Sequence, residues 1–300
     1  MGGSDEPPIL SIARFLLTAC RLRTPIGHSR RAAKRDMMTR WEDYMTDRRA
    51  DYANISQVYD RARRPDKPHV EWWLARLAQA GSLAPGRRLL DLGCGTGRWI
   101  IPLVERTRCE AVGLDKSPEM LLKARTKDET GRIRWLVGDM VSPPVRLECF
   151  DCVLMSLMLH HLDEPAAAFR AAFAALRPDG VLLVRQGTLE QIVDDPAHRF
   201  FPEAVTIDRK RTPFRVEVKT WLTESGFENV TAEPVRMRTH NSPQEWLLEA
   251  EPRVCSVFRM ISDEAHARGL ARLREYIETH PDDPWLVEEE MTLFTATKPK

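Results

Sequence analysis

"RLLDLGCGTGRW", Arg88 to Trp99, sets three glycines at alternate positions directly behind a leucine-rich run. The run is short, apolar and stopped by a glycine, which predicts a buried strand over residues 88–92. Gly93, Gly95 and Gly97 then form a turn into a helix expected over residues 96–106. A loop without Cβ atoms lets a ligand reach the main chain, and the helix behind it offers its N–H groups. The spacing is GxGxG, with Arg98 where a dinucleotide fingerprint would carry its third glycine. A pyrophosphate-binding dehydrogenase is thereby disfavoured.

Outward from this loop, strands and helices alternate. Strands are expected at 111–114, 133–137, 151–155 and 181–185, and helices at 118–127 and 164–176, the last stopped by "RPDG". Upstream, Val70, Trp73, Leu74 and Leu77 recur at i, i+3, i+4 and i+7, so "HVEWWLARLAQAG" reads as an amphipathic helix ending at Gly81. Strands alternating with helices of about ten residues argue for a parallel sheet covered on both faces. Ligands of such sheets bind at the carboxyl ends of the strands.

Three acids fall at those ends. Asp115 closes the second strand, 22 residues after Gly93, where a carboxylate can accept both hydroxyls of a ribose. Asp91 lies in the first strand, and Asp139, in "WLVGDM", follows the third, on the side where an adenine would extend beyond the ribose. Three carboxylates make a poor bed for pyrophosphate and a good one for a cationic, amine-bearing nucleoside such as S-adenosylmethionine.

The chain of 300 residues carries 45 Lys and Arg against 44 Asp and Glu, so nothing in its charge draws a nucleic acid. No apolar run is long enough for a membrane span. The six cysteines lack the spacing of a disulfide framework, which suits a reducing, cytoplasmic setting. Cys149 and Cys152 form a CxxC without a second pair, and read as buried core thiols and not as a metal site. Seven basic and no acidic residues fall between Pro7 and Arg35, and residues 1–37 are expected to be a disordered tail or a non-native start, with an accessory helix or a presequence as the alternatives.

With these motifs in hand, the chain resembles a class I S-adenosylmethionine-dependent methyltransferase of the small-molecule type, similar to the ubiquinone-biosynthesis-like group. The resemblance implies a Rossmann-like α/β fold, a seven-stranded, mostly parallel sheet with an antiparallel last strand and helices on both faces. It covers residues 52–298. "LDLGCGTG" would place Asp91 near the methionine amine, with Gly93, Cys94, Gly95 and Gly97 beneath the amino acid and ribose. "GLDKSPEML" would put Asp115 on the ribose, with Lys116 beside it and Met120 near the adenine face. "VGDM" implies Gly138, Asp139 and Met140 around the adenine, and "FDCVLMSLMLHHL" implies Ser156 and Leu157 on the reaction side. "YANISQVYDRARRP" resembles the family's lid helix, making Tyr59 and Arg64 pocket candidates. In "ALRPDGVLLV", Asp179 stands where glycine is commoner. The chain lacks the N/D-P-P-Y motif of the amino-methylating nucleic-acid enzymes.

The expected organisation is lid helices over 38–82, a cofactor-binding core over 83–240, a helical cap over 241–289 and the last strand over 290–300. A helical cap at that sheet edge would roof the site and select the acceptor. Glu288 to Glu290 read as a solvated strand entrance, and no metal is called for. The transfer needs in-line positioning and, for a hydroxyl acceptor, a base. His160 and His161 are the catalytic candidates: "LHHL" resembles the "LHDW" of plant-type O-methyltransferases. The expected partner is a small molecule, with a homodimer left open. The competing readings are a non-catalytic cofactor-binding subunit and an NAD-linked oxidoreductase.

Overall fold

The first strand is apolar on both faces because both faces are covered. In a computed structural model, which describes residues 68–192, 195–283 and 287–300, β1 (Arg88–Leu92) lies near the middle of a seven-stranded sheet. Leu89 packs on one side with Leu154, Leu183, Trp73 and Ile100. Leu90 and Leu92 pack on the other with Val153, Val184, Phe169 and Phe294. Successive strand side chains alternate faces, so these leucines serve two cores, and each contributes about 1.5–3 kcal/mol by burial.

The elements that follow are α2 (Ile100–Thr107), β2 (Glu110–Asp115), α3 (Pro118–Lys127) and β3 (Ile133–Val137). After them come β4 (Phe150–Ser156), a 3-10 turn at Leu159–His161, α4 (Pro165–Ala175) and β5 (Leu176–Gln186). The strand order is β3-β2-β1-β4-β5-β7-β6, where β6 is Glu228–His240 and β7 is Val287–Thr297. β1 to β5 pair in parallel, while β7 runs antiparallel to both β5 and β6. Helix α1 (Pro68–Ala80) buries Val70, Trp73, Leu74 and Leu77 against the β1 face. No helix among the described residues is long and apolar enough to cross a membrane.

Several local readings change. The end of α1 uses Gly81 for space, since a Cβ there would lie 2.8 Å from Cys152 Sγ, while the left-handed residue is Ser82. α2 starts at Ile100 and not at Thr96, because the glycine loop continues as turns up to Trp99. α4 passes directly into β5, with the "RPDG" segment inside the strand and Asp179 left-handed at φ 60°. That conformation is easiest for glycine. Cys152 is buried, whereas Cys149 is only half-buried, with Arg88 Nη1 3.4 Å from its sulfur.

A third core forms the cap. It joins α5 (Pro196–Phe200) and α6 (Pro202–Arg211), which follow β5, to α8 (Pro243–Ala250) and α9 (Asp263–Thr279), which follow β6; α7 (Arg215–Glu224) packs on the sheet instead. Phe201, Trp246, Phe258 and Leu273 meet there. Gly269 of α9 admits the Phe201 ring, whose Cδ1 would stand 2.1 Å from an added Cβ. The cap is therefore built from two segments, where the sequence suggests one over 241–289. Residues 1–67, with Tyr59 and Arg64, lie outside the described residues.

Candidate active site

The site lies at the carboxyl ends of β1, β2, β4 and β5. Behind β1 the loop is tied to β2 through its backbone: the N–H groups of Gly93 and Cys94 donate to the Leu114 carbonyl at 2.8 and 3.0 Å. Gly95 N–H donates to Asp115 Oδ2 at 2.8 Å, and Ser117 N–H to Asp115 Oδ1 at 2.9 Å. An ionised carboxylate has about four lone-pair sites, so these backbone bonds fix its orientation without exhausting its capacity to accept. Gly93 has φ 79°, and a Cβ there would run into Met158. Gly95 has φ 54° and nothing within 4 Å of an added Cβ, so the loop opens there.

Asp91 is 2% exposed. Burial, and then the nearby charge of Asp115, push its carboxyl up to about 8. Burial also raises Asp115, against the pull of the Ser117, Gly95 and Lys116 N–H groups. Two carboxyls that resist ionisation together invite a cation, which lowers the cost for both. Cys94 is buried, its thiol pushed well up by burial and by these two acids. Asp139 stands apart: it is exposed, two residues beyond β3, and its Oδ1 accepts the Val141 N–H at 3.1 Å. Met120 and Met140 are buried, Gly138 half-buried and Lys116 exposed. Gly138 N–H donates to the Asp115 carbonyl at 3.0 Å.

At the end of β4 two features point to a ligand. Ser156 Oγ is buried and has no hydrogen-bond partner. Leu157 holds φ 56°, a left-handed conformation that costs a branched side chain about 1–3 kcal/mol. Such strain persists where neighbours enforce it; here the Leu157 N–H donates to the Arg185 carbonyl at 2.9 Å.

The two histidines follow on the 3-10 turn, their ring centroids 4.1 Å apart. His160 Nδ1 lies 3.4 Å from Nε2 of Gln186. His161 is exposed. Burial first, then the Arg211 and Arg259 cations of the cap, push it down to about 4; its solvent access weakens the burial effect, but both arginines act in the same direction. Sequence reasoning missed Gln186 and Arg185, although they end β5 as Asp91 and Asp115 end their strands. Arg185 is buried, its guanidinium 4.7 Å from the Trp73 ring centroid and 4.9 Å from that of Trp99.

The strand order and the loop define a class: this is the fold of the class I S-adenosylmethionine-dependent methyltransferases. Residues 89–180 match the methyltransferase domain family. It is 33% identical over 122 residues to a malonyl-[acyl-carrier protein] O-methyltransferase of Serratia marcescens, covering 40% of this chain and 47% of that protein. It is 32% identical over 120 residues to a ubiquinone/menaquinone biosynthesis C-methyltransferase of Dinoroseobacter shibae, covering 38% of this chain and 45% of that one. The chain thus spans less than half the length of either relative. Among solved structures, a candidate methyltransferase from an antibiotic biosynthesis pathway of Anabaena variabilis superposes with TM-score 0.67 at 19% identity, over 79% of this chain and 99% of that one. A phosphoethanolamine N-methyltransferase of Haemonchus contortus, in complex with phosphomonomethylethanolamine and S-adenosylhomocysteine, gives 0.58 at 20%, over 84% and 59%.

Proposed function

We propose that this protein is an S-adenosylmethionine-dependent methyltransferase acting on a small-molecule acceptor in the cytoplasm. The observation that carries the reading is the carboxylate of Asp115, fixed by the Gly95 and Ser117 N–H groups beside an open, Cβ-free loop. Its remaining lone pairs suit the two ribose hydroxyls. Asp91 takes the amine, Gly93, Cys94, Gly95 and Gly97 run beneath the amino acid and ribose, and Lys116, Met120, Gly138, Asp139 and Met140 form the adenine side. Ser156 Oγ and the strained Leu157 face the reacting end, which gives the orphaned hydroxyl a partner.

When bound, the cofactor supplies a sulfonium methyl that is already activated. The protein's part is to orient it and exclude water, which supplies up to about 7–11 kcal/mol when the geometry is in line. His160 and His161 stand on the acceptor side, and the cap selects the acceptor. The relatives are named for malonyl-[acyl-carrier protein] and for ubiquinone/menaquinone biosynthesis, and the second supports a small-molecule acceptor. A non-catalytic binder would share the pocket, and an NAD-linked enzyme would need room for pyrophosphate between two carboxylates. Incubation with cofactor and a metabolite extract tests the reading: mass spectrometry should find one compound heavier by a methylene together with S-adenosylhomocysteine. Binding of the cofactor without any such gain would favour the non-catalytic subunit.

A further inference from the structure

Gln186, the last residue of β5, is 2% exposed, and its amide faces three groups. The Leu159 N–H donates to Oε1 at 3.3 Å. Nε2 donates to the Gly187 carbonyl at 3.2 Å and lies 3.4 Å from His160 Nδ1. A backbone N–H can only donate and a carbonyl can only accept, so the first two contacts settle which end of the amide is oxygen. The nitrogen end, fixed in this way, is the end that meets His160. An amide N–H donates, so Nδ1 must accept, and a neutral imidazole accepting at Nδ1 carries its proton on Nε2.

We propose that Gln186 is a positioning residue that locks His160 in the Nε2–H tautomer, making it a hydrogen-bond donor in this site and not the proton acceptor that its place in the sequence suggests. This deepens the methyltransferase reading and rests on it for what the donor serves. In the histidine bases that oxygen-methylating enzymes use, the ring must keep a lone pair for the acceptor; here the lone pair of His160 is occupied by Gln186. Two arginines act on its neighbour His161: Arg211 from α6, itself paired with Asp208 at 2.7 Å, and Arg259 from the cap. A donor at this position favours an acceptor that arrives with a negative charge or a free electron pair over one that must first lose a proton.

The test is the tautomer itself, read by long-range proton–nitrogen NMR on the 15N-labelled full chain at neutral pH without cofactor. His160 is identified as the ring whose signals vanish in His160→Gln. The expected result is an unprotonated-type shift for Nδ1 and a protonated-type shift for Nε2. In Gln186→Glu a carboxylate can accept both the Leu159 N–H and an Nδ1–H, so the pattern should invert and the ring should titrate at higher pH. A wild-type ring protonated at Nδ1, or at both nitrogens at neutral pH, overturns the proposal; so does an unchanged tautomer in a folded Gln186→Glu. If that variant does not fold, the wild-type spectrum alone decides. Because no cofactor is present, failure here is separate from failure of the methyltransferase reading, which cofactor binding tests.

Discussion

Replacing Asp91 by Asn should stabilise the protein at neutral and alkaline pH while weakening its hold on the cofactor's amine. The carboxyl is 2% exposed and titrates at about 8 in the folded chain, against 3.8 for an ordinary aspartate. A carboxyl raised in this way binds its proton more tightly folded than unfolded. Its contribution is therefore favourable below about pH 4, falls as pH rises through the window from about 4 to 8, and is level above. At 1.36 kcal/mol per unit, the difference amounts to about 4 kcal/mol at pH 7 and on the order of 6 well above pH 8. Asn has the shape of the protonated acid and no such titration. Denaturant unfolding followed by circular dichroism at about pH 5, 6, 7 and 8 should show the wild type losing stability through the series, and Asp91→Asn losing several kcal/mol less. Equal slopes for the two proteins, or a variant less stable than wild type at pH 8, would refute the argument that Asp91 is a buried acid awaiting a cation.

Other consequences are quicker to check. Gly95→Ala should leave melting within a few degrees, because its Cβ enters open space and the strain of φ 54° is about 1–2 kcal/mol; calorimetry should nonetheless show cofactor affinity reduced at least tenfold. Gly269→Ala should cost about 1–3 kcal/mol, read as a lower melting temperature, since its methyl meets the Phe201 ring. His161 should titrate below the ordinary histidine value by NMR, through burial and then the two cations, and should move upward in Arg211→Met, which removes one of those cations. Its folded form favours the neutral ring, so the stability it contributes is present above the unfolded value of about 6.5 and is lost as pH falls below it.

The parts of this fold that are legible in the sequence are those fixed by local pattern. α3 and β3 occupy the expected residues because "SPEML" carries its own cap, Ser117 Oγ accepting the Met120 N–H, and "IRWLV" is a short apolar run between polar turns. The glycine loop is legible because bare backbone has few other uses there. What escapes the sequence depends on distant partners. α6, "PEAVTIDRKR", buries only Ala204 and has no apolar stripe, so it becomes a helix of the cap only when Phe200 and Phe201 bring it against α9. Asp139 Oδ1 accepts the Val141 N–H two residues on, a turn contact that strand-end spacing does not report. Gln186 meets His160 because β4 and β5 are neighbours in the sheet, a contact across 26 residues that no spacing rule reports.

The central claim is that Asp115 and the Gly95 loop form the ribose end of a site for S-adenosylmethionine, and isothermal calorimetry with that compound tests it most directly. The wild type should bind it, and Asp115→Ala should bind at least tenfold more weakly, since two charge-assisted hydrogen bonds at about 1.5–3 kcal/mol each are lost. Some of the effect will be structural, because the Gly95 and Ser117 N–H groups also lose their acceptor. Asp115→Asn separates the two: one amide end can still accept a loop N–H, so the variant should melt closer to wild type than Asp115→Ala while remaining weak in binding. A wild-type protein that takes up no S-adenosylmethionine, or an Asp115→Ala chain that binds it with wild-type affinity, would contradict the account.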